Sequence, residues 1–162
     1  MKKITGFLFL LILFCSCSAQ TYKIKKARAF ITESAPGTIM SDDNGNPIGP
    51  RLILERSIYI ECNYKGKPQI DSVFYNGILF IANVADEETG SITVGKKRYS
   101  GQPVRIVPKK GNHIWKIDLQ QSSGDELTFG KVKKIVIKGR LGKTGFRYTL
   151  TRETELATQP RY

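Results

Sequence analysis

One histidine and three cysteines are all that the 162 residues offer of the side chains that most often build metal centres and nucleophilic sites. A closed zinc site takes four nitrogen, sulfur or carboxylate ligands, and His113 with Cys62 falls short of that. A Ser-His-Asp triad would have to rest on His113, and nothing in the order of residues selects a serine and an acid to go with it. His113 shares its side of a strand with Trp115, which reads as the edge of a core. Cys62 falls among Ile58 and Ile60 on an inward face, where a thiol is packing material and not a nucleophile. The chain also lacks a phosphate-binding glycine loop and any Asn-x-Ser/Thr acceptor. Asp42-Asp43-Asn44-Gly45-Asn46 begins like a calcium loop. Pro47 stands where that loop needs glycine and Ile53 where it needs glutamate, so the stretch reads as a polar turn. No catalytic residue, metal or cofactor is expected. Acids are scarce as well: 14 against 26 basic residues, a net charge of +12.

The long apolar run is confined to the N-terminus. Lys2 and Lys3 precede an almost unbroken apolar stretch from Ile4 to Phe14, followed by Cys15-Ser16-Cys17-Ser18-Ala19-Gln20. A charged start, a short apolar core and small residues at the exit make a secretory signal. The core is shorter than the roughly 20 apolar residues that span a bilayer. Two processing routes fit. Cleavage after Ala19 would leave Gln20 as the first residue. Alternatively Phe14-Cys15-Ser16-Cys17 resembles the signal of bacterial lipoproteins, which implies lipidation of Cys17. Ser16 fits the small residue of that pattern, and Phe14 stands where leucine is preferred. Residues 1–19 are therefore read as a secretory or lipoprotein signal and 20–162 as one domain with a polar tail. The expected location is the periplasm or the outer membrane, with a lipid on Cys17 as the expected membrane link. Losing Lys2 and Lys3 lowers the net charge from +12 to +10. Cys62 is then the one thiol certain to remain, so no disulfide within the chain is expected.

The remaining pattern is of period two. Tyr22–Thr32 reads as a first strand, and Glu33–Pro50, rich in proline, glycine, asparagine and aspartate, as a loop. In Arg51–Asn63, Leu52, Leu54, Ile58, Ile60 and Cys62 share one side, broken by Arg56, while Tyr59 and Glu61 take the other. Asn76-Gly77 joins Asp71–Tyr75 to Ile78–Val84, the strongest short hairpin signal. That hairpin is apolar on both faces, so it is expected to be central in a sheet or covered on one side. Ser91–Val94, Val104–Val107 and His113–Gln121 follow as strands. Ser122–Gly130 reads as a loop around a short strand. Lys133–Arg140 and Gly145–Arg152 form a last hairpin, and Thr154–Tyr162 is expected to fray. No segment has a helical period. Seven to nine short strands suggest an all-β antiparallel sandwich, immunoglobulin-like in architecture. Pro160 and the lack of lipid-facing stripes of about 9–11 residues argue against a membrane barrel.

Two surfaces carry the functional expectation. Between Lys131 and Arg152 there are eight basic residues and no acid. Lys134, Lys138, Arg140 and Arg147 fall on the side away from Ile135, Ile137, Phe146 and Tyr148, with Lys143 at the turn, and should form an outward basic stripe. Tyr59, Phe74 and Tyr75 are candidates for an aromatic patch. An exported chain of this kind points to a non-catalytic binding or accessory module for an anionic glycan, a lipid surface or a protein partner, and away from nucleic acid. Alternatives are a small hydrolase with a carboxylate pair among Glu55, Glu61 and Asp71, or a structural subunit of an envelope complex.

Overall fold

A computed structural model describes residues 21–34, 40–48, 53–88, 90–121 and 132–158. The expected signal with Cys17, the expected loop at Ser122–Gly130 and the last four residues lie outside them. The described residues contain strands and turns and no helix. β1 (Ile24–Ser34) is followed by the two-residue strands β2 (Met40–Ser41) and β3 (Pro47–Ile48), then by β4 (Ile53–Cys62). The central hairpin is β5 (Gln69–Tyr75) and β6 (Ile78–Glu88); a small ribbon follows, β7 (Ile92–Lys96) and β8 (Pro103–Ile106). β9 (His113–Gln121), β10 (Ile135–Leu141), β11 (Thr144–Leu150) and β12 (Glu153–Leu156) complete the order.

Eight strands share one sheet in the order β11-β10-β5-β6-β9-β4-β1-β12, while β2–β3 and β7–β8 pair separately. The all-β expectation is therefore met. The pairing does not establish an immunoglobulin-like sandwich: the sheet is continuous and mixed, because β12 runs parallel to β1. The sheet also curls, bringing β1 near β11 although five strands separate them in the sheet order. Register shifts at Ile24/Lys26, Val84/Glu87 and Lys138/Gly139 contribute, since each bulge sharpens local twist.

The curl encloses the main core. Ile58, Ile60 and Cys62 of β4 meet Val73, Tyr75 and Phe80 of the central hairpin, Trp115 and Ile117 of β9, and Ile135 and Ile137 of β10. Phe146, Tyr148 and Leu150 pack against this core from β11, as their shared parity predicts. Fully burying each of the isoleucines stabilises by roughly 1.5–3 kcal/mol. A second cluster lies on the outer face: the β7–β8 ribbon lays Val104 and Ile106 over Phe30, Tyr59, Ile114 and Leu156. The expected fraying of Thr154–Tyr162 is corrected for its first residues. Leu156 is buried under the ribbon, and the Lys97 bridge helps hold it there. β12 is further tied inward by Glu153, whose Oε2 lies 3.7 Å from Nε of the buried Arg56.

Candidate functional site

The site begins with a turn. Asn76 and Gly77 both adopt positive φ, 49° and 94°, as the tight connection of β5 to β6 requires. Asparagine tolerates this conformation and keeps a side chain to use. Its Oδ1 accepts hydrogen bonds from the Lys133 N–H at 2.9 Å and the Lys134 N–H at 3.1 Å. Its own N–H donates to the Lys134 carbonyl at 2.8 Å. One turn residue thus fixes the segment that enters β10, and places two lysines beside the hairpin.

From there the outer face is set by register. Leu79 lies opposite Phe74, Phe74 opposite Val136, and Val136 opposite Thr149. In the next row, Ser72 lies opposite Lys138 and Lys138 opposite Arg147. Directly opposed residues of an antiparallel pair share a face, with Cβ atoms about 4.5–5.5 Å apart. The result is a groove of about 500 Å³ whose floor is Phe74 and Val136 and whose walls are Lys133, Lys134, Lys138 and Arg147, closed at one end by Asn76-Gly77. The Lys138 ammonium lies 5.6 Å from the centre of the Phe74 ring, close enough for a cation–π contact.

The electrostatics of the groove are one-sided. Among the described residues, no carboxylate lies within ion-pair distance of Lys134, Lys138 or Arg147. Like charges placed directly opposite each other destabilise a sheet. The Lys138–Arg147 pair is such an arrangement, retained on an exposed surface. Arg140, farther along the same strand, is 3.7 Å from Asp71, and both side chains are about half exposed. That ion pair adds little stability, and it partly neutralises the far end of the stripe. Lys143 sits in the exposed β10–β11 turn. All five expected stripe residues are exposed, and the structure gathers Lys134, Lys138 and Arg147 into the groove while leaving Arg140 and Lys143 beyond it. Lys133 is missed from the sequence because it opens the expected strand on the parity of Ile135 and Ile137, whereas it precedes β10 and is exposed. Its signal was Asn76, whose side chain reaches across to that segment.

The three aromatic candidates do not share a surface. Phe74 lies in the groove. Tyr75, the next residue on the strand, faces the core and is 3% exposed, its ring 5.2 Å from that of Phe80. Burial pushes its phenol well above the ordinary range. Tyr59 is on the outer face, as its parity indicates, but the β7–β8 ribbon covers it and it stacks edge-on against Phe30 at 5.6 Å. Phe74 is thus the only one of the three that joins the basic stripe.

The acids, the thiol and the histidine are arranged differently. Glu61 is buried; its Oε1 accepts from the Lys109 N–H at 2.9 Å and from Asn112 Nδ2 at 2.6 Å. Burial pushes its carboxyl up, and the Asn112 and Lys109 hydrogen bonds, with the charges of Lys26 and Lys109, outweigh this and hold it below the ordinary value. Asp71 is on β5, separated from β4 by β6 and β9 in the sheet order, and lies 3.7 Å from Arg140, while Glu61 is taken up by Lys109 and Asn112. Cys62 and His113 are directly opposed across β4 and β9. The thiol, however, is fully buried and donates toward the Tyr64 carbonyl at 3.5 Å. Both carboxylate oxygens of Asp42 accept hydrogen bonds from the backbone or side chain of Asn44 and Asn46 in its own turn. No cluster of three potential metal ligands occurs among the described residues. In comparisons with known proteins, the chain matches no family model, no curated protein and no solved structure.

Proposed function

We propose that this chain is an exported, non-catalytic binding module of a bacterial envelope, and that it takes an anionic ligand in the groove on the outer face of β5, β10 and β11. One observation carries this reading: Lys138 and Arg147 oppose each other directly, beside Lys134, with no carboxylate of the described residues to balance them. An anion placed between them would relieve the repulsion and draw charge-assisted hydrogen bonds from all three. The half-buried Phe74 floor offers apolar contact to whatever carries the negative group.

The export reading rests on Lys2, Lys3, the apolar stretch to Phe14 and the small residues to Ala19. It directs the choice of anions to those of an envelope: lipid head groups, acidic polysaccharide or an acidic protein surface. A sandwich-like reading of the fold is supported only where β7–β8 forms a second layer over β1, β4, β9 and β12. The test is salt-gradient elution of Gln20–Tyr162 from heparin, wild type against Lys138→Ala/Arg147→Ala. Retention that falls with salt and is lost in the double variant supports the site. Equal elution of the two proteins would remove it.

A further inference from the structure

The basic groove does not stand alone on its face. β6 runs beside it and presents Leu79 and Ile81 outward, 45% and 55% exposed, with Ile78 at the turn 39% exposed. Leu79 is in register with the Phe74 floor, and Ile81 lies one step along the same side of the strand. On β9, the neighbour of Ile81 is the exposed Gln120. The nearest acid on that strand, Asp118, lies opposite Asn83 and is ion-paired with Lys116 at 2.9 Å. The outer face of β11-β10-β5-β6 thus carries an aliphatic ridge along one side and a cationic groove along the other.

We propose that this face docks flat on an anionic lipid surface, a proposal that rests on the anion-binding reading of the groove. Leu79 and Ile81 would enter the boundary between head groups and acyl chains. Lys134, Lys138 and Arg147 would hold lipid phosphates at the level of the groove. The character of the exposed apolar side chains favours lipid over sugar. Carbohydrate is gripped by open aromatic faces, whereas here the aromatic ring is half-buried under Lys138 and the exposed residues are aliphatic. Interfacial binding combines buried apolar area with attraction to anionic head groups, and this face has both at one level. Membrane contact would then come from the sheet itself, independent of a lipid on Cys17.

The experiment uses Gln20–Tyr162, which carries all described strands and lacks Cys17. It measures sedimentation with vesicles of phosphatidylcholine alone, and of phosphatidylcholine with phosphatidylglycerol, beside retention on heparin. Four proteins are compared: wild type, Leu79→Ser/Ile81→Ser, Lys138→Ala/Arg147→Ala, and a Lys96→Ala/Lys97→Ala control on the ribbon. Binding to the anionic vesicles only is expected, weakened about tenfold or more by the serine pair, whose heparin retention is unchanged. The groove pair is expected to lose both, and the ribbon pair neither. Unaltered vesicle binding by the serine pair would overturn lipid docking while leaving the anion site standing. Heparin retention without vesicle binding would overturn it in favour of a glycan. Failure of the wild type to bind either matrix would overturn both the docking and the anion site beneath it. Thermal unfolding of each variant confirms that these exposed substitutions leave the fold intact.

Discussion

Replacing Arg147 by glutamate should make the protein more stable and abolish the proposed anion binding. Lys138 and Arg147 are cross-strand neighbours on the outer face, both exposed. At a charge separation of about 6 Å in water, Coulomb's law gives about 0.7 kcal/mol of repulsion before screening. Reversing one charge changes repulsion to attraction, so the swing is about 1 kcal/mol after partial screening by physiological salt. For a domain of this size that corresponds to a rise in Tm of about 2–4 °C. Arg147 is the better target of the pair, because replacing Lys138 would also remove its contact with the Phe74 ring. The assay is thermal unfolding by circular dichroism at low salt and at about 1 M salt, where the Debye length shrinks to about 3 Å and the gain should vanish. Heparin retention is measured on the same samples, with Arg147→Lys as the charge-preserving control that keeps both properties of the wild type. A Tm that falls, or that rises equally at both salts, would refute the electrostatic reasoning. Undiminished retention would refute the placement of the site.

Asn76→Gly should preserve the turn, since glycine adopts the same φ, but release Lys133 and Lys134 from the Oδ1 anchor. Losing two hydrogen bonds at an exposed site should cost about 1 kcal/mol in urea unfolding and weaken anion retention without changing net charge. Arg56→Leu should cost about 3 kcal/mol, because the largely buried Glu153 loses its counter-charge; adding Glu153→Leu should recover most of that, a non-additivity that a double-mutant cycle in urea reports. On acidification, a group whose carboxyl is depressed by folding stabilises the fold above its ordinary pKa and ceases to do so as pH falls through the folded value. Glu61 is such a group, so wild-type stability should fall as pH drops below about 4.5, with a smaller slope in Glu61→Gln, read from urea midpoints across the pH range. Glu153 acts in the opposite sense: burial raises its carboxyl, so its destabilising contribution appears as pH rises past the ordinary glutamate value.

What the sequence made legible was local. The Asn76-Gly77 pair and the short turn at Gly142-Lys143 each join strands that are neighbours in both chain and sheet, and alternation alone placed Ile135, Ile137 and Tyr148 inward and Lys138 and Arg147 outward. The illegible parts depend on partners remote in the chain. β12 has little apolar pattern of its own; it is ordered by parallel pairing with β1, Ala29 opposite Glu153, more than a hundred residues away. In the sequence Arg56 interrupts the apolar side of its strand. It faces inward as expected from parity, and is accommodated by Glu153 and by the faces of Tyr75 and Phe80. Strand parity places Tyr59 outward, where it is, but no local signal announces that the ribbon covers it. The proposed anion site is half visible in the sequence for the same reason. Its cations follow strand parity, whereas its end wall and Lys133 depend on a side chain–backbone link spanning fifty-seven positions.

The most direct test of the central claim is to locate the anion by nuclear magnetic resonance. Amide shifts of Gln20–Tyr162 are followed during titration with a heparin fragment, at low and at high salt. Shifts centred on Phe74, Asn76, Lys134, Lys138 and Arg147 are expected, disappearing as salt is raised. Shifts centred on the β7–β8 ribbon around Lys96, Lys97 and Arg98, or spread over the basic surface with no centre, would contradict the claim.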